Sequence, residues 1–386
     1  MMDENNELFY EDAYRTSFEA TVTACEKDGK GYAVLLDRTA FYPEGGGQPY
    51  DTGFLDDVRV REVHRRNGAI VHYTDGALAV GKTVTGRIDF ERRFDLMQQH
   101  SGEHVFSGLV HRFFGYDNIG FHLGEKEVVL DFSGPLDPGQ VRMIEERTNA
   151  MIQKNIAVEA FYPSEEELAE LEYRSKKELE GKVRIVRIRD CDVCACCGTH
   201  VKNIGEVGYA KVISLMNKRG NARIGVLFGR RATEYMAKIY DQTSEVSALL
   251  SKSPLEIAQG VRHLQKEATD KTVALNLLYT RQFERRFQEA EPCDLYITVE
   301  EGCSMDLLRH FCDAMTAKAR VCAGLLKKGE EDYQYVILSA SADLKECSKL
   351  LNERFAGKGG GSKQMIQGSL HGSDTEIKAF LHELFC

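Results

Sequence analysis

No segment of this chain reaches about 18 uninterrupted apolar residues, the length a helix needs to span a bilayer. The opening stretch, MMDENNELFYEDAYR, is acidic and lacks the apolar core of an export signal. Membrane spanning and secretion are therefore unsupported, and a cytoplasmic protein is expected. Evenly paired cysteines are lacking too. The eleven present are an odd number in a long chain without an export signal, which argues for reduced thiols and against a disulfide framework. Only Cys191, Cys194, Cys196 and Cys197 are bunched, and the scattered remainder read as small buried apolar residues. An excess of positive charge is also missing. The formal net charge of −10 argues against a protein that coats nucleic acid wholesale. Two local strips remain: Arg174–Arg189, with seven basic and two acidic residues, and Met216–Arg231, with five basic and none acidic. Either could track phosphates over a small, defined RNA contact.

What is present is enough chain, 386 residues, for two or three domains with sizeable cores. The pattern predicts an α+β protein. Residues 1–89 read as short alternating strands with turns between them (SFEATVTACEKDG, GYAVLLDRTAFY, VRVREVHRR, AIVHYT, TVTGRID), which fits a small N-terminal β-barrel. Between the second and third lies FYPEGGGQPYDTG, too rich in glycine for a strand. Gly45, Gly46 and Gly47 in succession cost backbone entropy unless an unusual dihedral or a close approach requires them, so the loop reads as one that lets a ligand near its backbone amides.

Residues 90–240 alternate helix and strand. Phe90–Gly115 is a helix with Asp89 as its N-cap. After it come a strand in EKEVVLDF, a helix over 137–156, a strand in AVEAFY, a helix in SEEELAELEY and a strand in KVRIVRI. The loop CDVCACCGTHV, two strands and a helix beginning near Arg230 complete an α+β domain, its helices on one face of an antiparallel sheet. Residues 241–290 form a long linking helix opened by Pro254. Its heptad-like seam of Ile257, Val261, Leu264, Ala268, Leu275 and Leu278 is expected to pack within the chain's own core, with homodimerisation as the second use. Residues 291–386 repeat strand and helix as an α/β domain. It is interrupted by GKGGGSKQMIQG, a glycine-rich loop that could cradle phosphate on Lys358 and Lys363, although it lacks the GK[ST] step of a Walker loop.

Two pairs carry the chemistry. His100 and His104 lie four apart on one helix face, one turn above each other, in a stripe with Met97 and His111. Cys196 and His200 lie four apart in a glycine turn after a strand. Three imidazoles and a thiolate make a set that suits Zn²⁺. Cys191 and Cys194 also have ligand spacing, and Cys196 is preferred because His200 shares its turn. A rival reading takes His100-Ser-Gly-Glu103-His104 as the H-x-x-E-H motif of a zinc peptidase with Glu103 as general base, but it leaves CCGTH and GGGQ without work.

FYPEGGGQPYDTG, QQHSGEHVFSG, CCGTHV and GRRATEYMAKI, in this order, resemble the editing domain of alanyl-tRNA synthetase and its free-standing relatives, the AlaX trans-editing proteins. The resemblance covers nearly the whole chain. The seam helix and the C-terminal domain are similar to the DHH-associated region of the synthetase, which points to the long form of AlaX. One departure is CCGTH where the family usually has CGGTH; it leaves the metal pair intact. With the barrel beginning almost at residue 1, no aminoacylation domain is expected, so the chain should cleave a wrong product without making the right one. The resemblance implies hydrolysis of the ester joining serine, with glycine as a second candidate, to tRNA(Ala). It further implies a serine-reading role for Thr39, a place near the aminoacyl end for Gln48 and the glycine loop, and tRNA contacts for Lys358 and Lys363. Glu103 and Glu44 are the carboxylates nearest these motifs and are candidates for positioning water. Zinc with an open position would polarise water or the ester; zinc closed by four ligands would order the pocket. A non-catalytic tRNA-binding module with structural zinc is the remaining alternative.

Overall fold

The computed structural model describes residues 6–29, 31–175 and 182–386. Lys176 and Lys177 of the first basic strip lie outside the described residues. The chain divides into two compact units, Met1–Gln242 and Thr243–Cys386. Among the described residues no helix is long and apolar enough to cross a membrane.

In the first unit a short helix, α1 (Leu8–Glu11), precedes six strands: β1 (Ser17–Asp28), β2 (Gly31–Leu36), β3 (Gly53–Leu55), β4 (Val58–Arg66), β5 (Ala69–Thr74) and β6 (Thr83–Ile88). They close a barrel in the order β1-β2-β5-β4-β3-β6. Alternation sends Phe18, Ala20 and Val22 of β1 inward to meet Val34, Phe41, Val60 and Val84, while Leu8 and Phe9 of α1 join the same core. Strand β2 stops at Leu36, so Asp37–Tyr42, expected as strand, belongs instead to the glycine-rich connection.

The helix α2 (Phe90–Phe114) starts where Asp89 accepts the Arg92 amide and ends at Gly115, whose φ of 69° takes the left-handed turn. Buried residues run unbroken from Asp95 to Val110, because structure packs on every side of it. Arg93, fully buried, fastens it to the barrel by donating to the Asp51 carboxylate and to the carbonyls of Ala13 and Ala40. Around α2 follow β7 (Asn118–Leu123), β8 (Val128–Phe132), α3 (Pro138–Lys154), β9 (Val158–Phe161), α4 (Glu165–Glu170), β10 (Ile185–Ile188), β11 (Asp192–Ala195), β12 (Ala210–Lys218), β13 (Asn221–Phe228) and α5 (Gly229–Leu250). The expected single sheet is two: β12-β13-β8-β7 and β11-β10-β9. Strand β11 falls inside the stretch read as loop. Its pairing with β10 in the register Val186↔Cys194 overrides four residues of weak strand composition.

In the second unit α6 (Ile257–Glu289) leads to β14 (Cys293–Glu301), α7 (Met305–Met315), β15 (Ala319–Lys327), β16 (Asp332–Leu338), α8 (Lys345–Arg354), β17 (Lys358–Gly361), β18 (Met365–His371) and α9 (Asp374–Phe385). The sheet order is β14-β15-β16-β18-β17, with β14 and β15 parallel. Two expectations are corrected. The glycine-rich segment is not a loop but a strand pair, β17 on β18, in which Gly359 faces Gly368 at an approach side chains would block. The α6 seam is not core: Val261, Leu264, Leu275 and Leu278 are exposed, and only Gly260 and Phe283 of the helix are buried. Heptad spacing selects a helix with an apolar stripe; it does not say what covers the stripe.

Candidate metal centre

Helix α2 presents His100 and His104 from its buried middle, and the turn after β11 presents Cys196 and His200. One ligand atom from each lies within 4.8 Å of every other. Cys196 Sγ stands 3.4 Å from His100 Nε2 and 3.4 Å from His200 Nε2. A tetrahedral zinc with bonds of about 2.3 Å to sulfur and about 2.0 Å to nitrogen separates such donors by about 3.5 Å, so the donor set fits that ion in both chemistry and spacing.

Each imidazole is aimed by its other nitrogen. His104 Nδ1 is 2.8 Å from Asp192 Oδ2, a carboxylate that can only accept. His100 Nδ1 donates to Gln48 Oε1 at 3.0 Å, an atom fixed as oxygen because it also accepts the Thr199 amide. His200 Nδ1 is 3.1 Å from Ser101 Oγ, which accepts the Val201 amide. These contacts on Nδ1 leave each Nε2 turned toward the thiol, the arrangement that orients the rings in metal sites. Arg174 holds Asp192 through a fork of 2.7 and 2.9 Å. The metal turn is held from outside. Arg184 donates to the carbonyls of Cys196 and Gly198, both at 3.0 Å, and lies over the Tyr10 ring, whose hydroxyl donates to Cys197 O at 2.9 Å. Cys197 keeps an ordinary negative φ, so the cysteine that replaces a glycine there meets no backbone demand.

Burial works against the Cys196 thiolate, but the charges of His100, His200 and His104 outweigh it and hold the thiol well below its usual range. Burial also opposes the His104 imidazolium. Cys196 and the bond to Asp192 overcome it and raise that group to about 9, whereas burial dominates at His200 and pushes it down to about 3. A thiolate with a neutral imidazole beside it is the protonation state in which these residues ligate a cation.

Beside the histidines opens a cleft of about 480 Å³ with Gly46, Gly47 and Phe121 in its wall. Gly45 and Gln48 exchange backbone hydrogen bonds across a two-residue turn, with φ of 59° at Gly46 and 82° at Gly47. Both central residues have positive φ, the glycine-demanding hairpin form. A Cβ at Gly47 would also sit 2.5 Å from the Phe121 ring, which in turn stacks on His100 at 5.2 Å.

Of the residues singled out in the sequence, His100, His104, Cys194, Cys196, Cys197, Gly46 and Gly47 line this cleft, and His200 joins His100, His104 and Cys196 in the donor group. The others lie elsewhere. Gly45 forms the base of the turn and accepts the Tyr42 hydroxyl. Gln48 is fully buried and supports His100. Thr39 lies inside the barrel, 2.8 Å from His72 Nε2 and accepting the Phe41 amide. Glu103 is buried beside the donors: Oε1 accepts from Ser107 Oγ and Asn118 Nδ2, both at 2.7 Å, and Oε2 is 3.9 Å from His104 Nε2. Glu44 pairs with His64 on the surface. Lys358 and Lys363 belong to the second unit, Lys363 paired with Asp343 at 2.9 Å. Cys194 forms a further donor group with His104 and Asp192, but His104 Nδ1 and both Asp192 oxygens are already bonded. Cys191 points its thiol at the Val105 carbonyl. The sequence reading missed Ser101, Asp192, Arg174 and Arg184. Ser101 adjoins a ligand in sequence, but nothing in the spacing marks Asp192 or the two arginines.

The description "tRNA synthetases class II (A)" matches residues 3–92, and "Threonyl and Alanyl tRNA synthetase second additional domain" matches residues 183–224. The alanyl-tRNA editing protein of Rattus norvegicus is 30% identical over 276 residues, 67% of this chain and 67% of its own length. The alanine–tRNA ligase of Ignicoccus hospitalis is 38% identical over 283 residues, 69% of this chain but 31% of the ligase. That of Pyrobaculum aerophilum is 32% identical over 390 residues, covering 95% of this chain and 43% of the ligase. The chain thus spans less than half the length of the ligases it matches. The C-Ala domain of Aquifex aeolicus alanyl-tRNA synthetase aligns with 24% of this chain at 24% identity and a TM-score of 0.22, a likeness too slight to bear on the fold.

Proposed function

The chain belongs to the alanyl-tRNA editing family, and from that premise we propose that it hydrolyses the aminoacyl ester of mischarged tRNA(Ala) in trans, with serine as the principal wrong residue and glycine as the second. The observation that carries this reading is the convergence of His100, His104, Cys196 and His200 on one point at the wall of a cleft. The need is physical. A pocket built for alanine cannot reject smaller glycine by size and rejects one extra hydroxyl poorly, so a second, hydrolytic sieve is required.

When bound at the four donors, zinc supplies a fixed positive charge and Lewis acidity beside the ester. The chain's own residues do the rest. Gln48, Ser101 and Asp192 hold the three rings in place from Nδ1, so the donor atoms need little movement when a cation arrives. The Gly46–Gly47 turn brings backbone to the cleft wall without side chains, which suits close approach of a sugar and its ester. The serine-reading role falls to Thr39, which is buried in the barrel outside the residues lining the cleft and keeps one acceptor lone pair beside its bonds to His72 and Phe41. Glu103 accepts from Ser107 and Asn118 with one carboxylate oxygen and holds the other 3.9 Å from His104 Nε2, where we assign it the positioning of water.

The experiment is incubation with Ser-, Gly- and Ala-tRNA(Ala), following release of the amino acid. The expected outcome is rapid loss of serine with Ala-tRNA(Ala) spared. His100→Ala and Cys196→Ala should reduce bound zinc and abolish release. Protection of the ester by the intact protein would favour a binding module instead, and full activity in a metal-free variant would remove the metal from the site's chemistry.

A further inference from the structure

The cleft beside the histidines adjoins, at Ile119, a groove on the outer face of the four-stranded sheet. Gly120 of β7 pairs with Asp131 of β8, Asp131 with Arg223 of β13, and Arg223 with Met216 of β12, so these positions form one row across the sheet. Their neighbours Leu130, Phe132, Ala222 and Ile224 are core, which turns Asp131, Arg223 and Met216 outward. A bulge between Asn118 and Gly120 leaves Ile119 as the extra residue on β7. Ile119 is 57% exposed and Met216 61%. Ile119 lines both the metal cleft and a neighbouring groove of about 400 Å³, whose far end is the hairpin turn at Lys218 and Arg219.

The charge in that groove has one sign in excess. Arg223 is matched by Asp131 at 2.7 and 2.8 Å, but among the described residues Lys218 and Arg219 have no acidic partner. No acidic residue occurs from Met216 to Arg231. Three interstrand steps of about 4.8 Å make a track of about 14 Å from β7 to β12. Apolar side chains near the cleft and unmatched cations beyond are the combination that suits a single strand of nucleic acid, whose bases need flat apolar support and whose phosphates need counter-charge.

We propose that this row is the track for the unpaired 3′ end of the RNA whose ester lies at the metal cleft: Lys218 and Arg219 neutralise its phosphates, and Ile119 and Met216 lie against its bases. The proposal rests on the editing reading for the position of the ester. The test uses the full chain with Lys218→Ala/Arg219→Ala and, separately, Met216→Ala. KM for Ser-tRNA(Ala) is measured over a range of salt concentrations. Both changes should raise KM, about tenfold for the double variant, with the loss falling on KM rather than kcat. The double variant should also flatten the slope of log KM against log salt by about 1.4, two single-strand phosphates at about 0.7 each. Bound zinc and Tm report that the variants fold. Active variants with the KM and salt slope of the parent overturn the track. Should the parent release no amino acid, the editing reading fails on its own, and binding of an RNA hairpin with an unpaired 3′ extension decides the track separately. The variants should weaken that hairpin and spare its blunt-ended counterpart. Equal weakening of both overturns the placement, because the contact then lies on the stem.

Discussion

At Gly198 a methyl group would come within 2.1 Å of His100 Cε1 and 2.9 Å of Gln48 Oε1. Both neighbours are buried and locked by hydrogen bonds, so neither can retreat. Gly198→Ala is therefore expected to tilt His100 out of line, lower the zinc content measured on the purified protein by metal analysis and remove most deacylation, while the barrel stays folded. A variant with full zinc and full rate would show that His100 has slack the packing does not suggest. The same residue marks what the sequence could disclose. Spacing on a helix and within a glycine turn picks out four side chains, because i and i+4 share a helix face whatever surrounds them. Nothing local announces Asp192 as the support of His104, since the two are 88 positions apart and meet only through the pairing of β11 with β10.

Among the elements, the barrel carries a buried titratable group outside the metal donor set. His72 on β5 is fully buried between Val34 O and Thr39 Oγ1, and burial pushes its pKa down to about 4. Between the unfolded value near 6.5 and about 4, the unfolded chain binds a proton that the folded chain refuses, so stability falls as the pH is lowered through that window. The loss should approach about 3 kcal/mol, at about 1.4 kcal/mol per pH unit. Denaturant midpoints recorded from pH 7 to pH 4 should show this slope, and His72→Gln should flatten it. An unchanged slope in that variant would assign the acid sensitivity to other groups. Element types were readable where periodicity was long, as in α2, α3 and the five longer strands of the barrel. They were unreadable where tertiary pairing decides. Strand β3 has three residues, β7 carries a glycine and a bulge, and β17 is lysine followed by three glycines, and each is a strand only because a neighbour supplies its hydrogen bonds. The α6 stripe shows the converse, a pattern strong enough to fix the helix and silent about its partner.

For the molecule as a whole, Leu255, Leu264 and Leu278 stand 98%, 58% and 61% exposed in the second unit. Exposed apolar residues in such a stripe favour burial against a like surface. Sedimentation at several concentrations is expected to show a dimer that Leu264→Glu/Leu278→Glu converts to monomer, and a parent chain that stays monomeric throughout removes that use of the helix. One other feature acts at this scale. His100 and Cys196 are 96 positions apart, and the turn bearing Cys196 is clasped by Tyr10, 187 positions from the carbonyl it grips. During synthesis, then, the barrel and the histidine helix leave the ribosome well before the thiol that must join them. The nascent chain can hold a cation firmly only after its two-hundredth residue clears the exit tunnel, and the opening helix finds its last partner at the same moment.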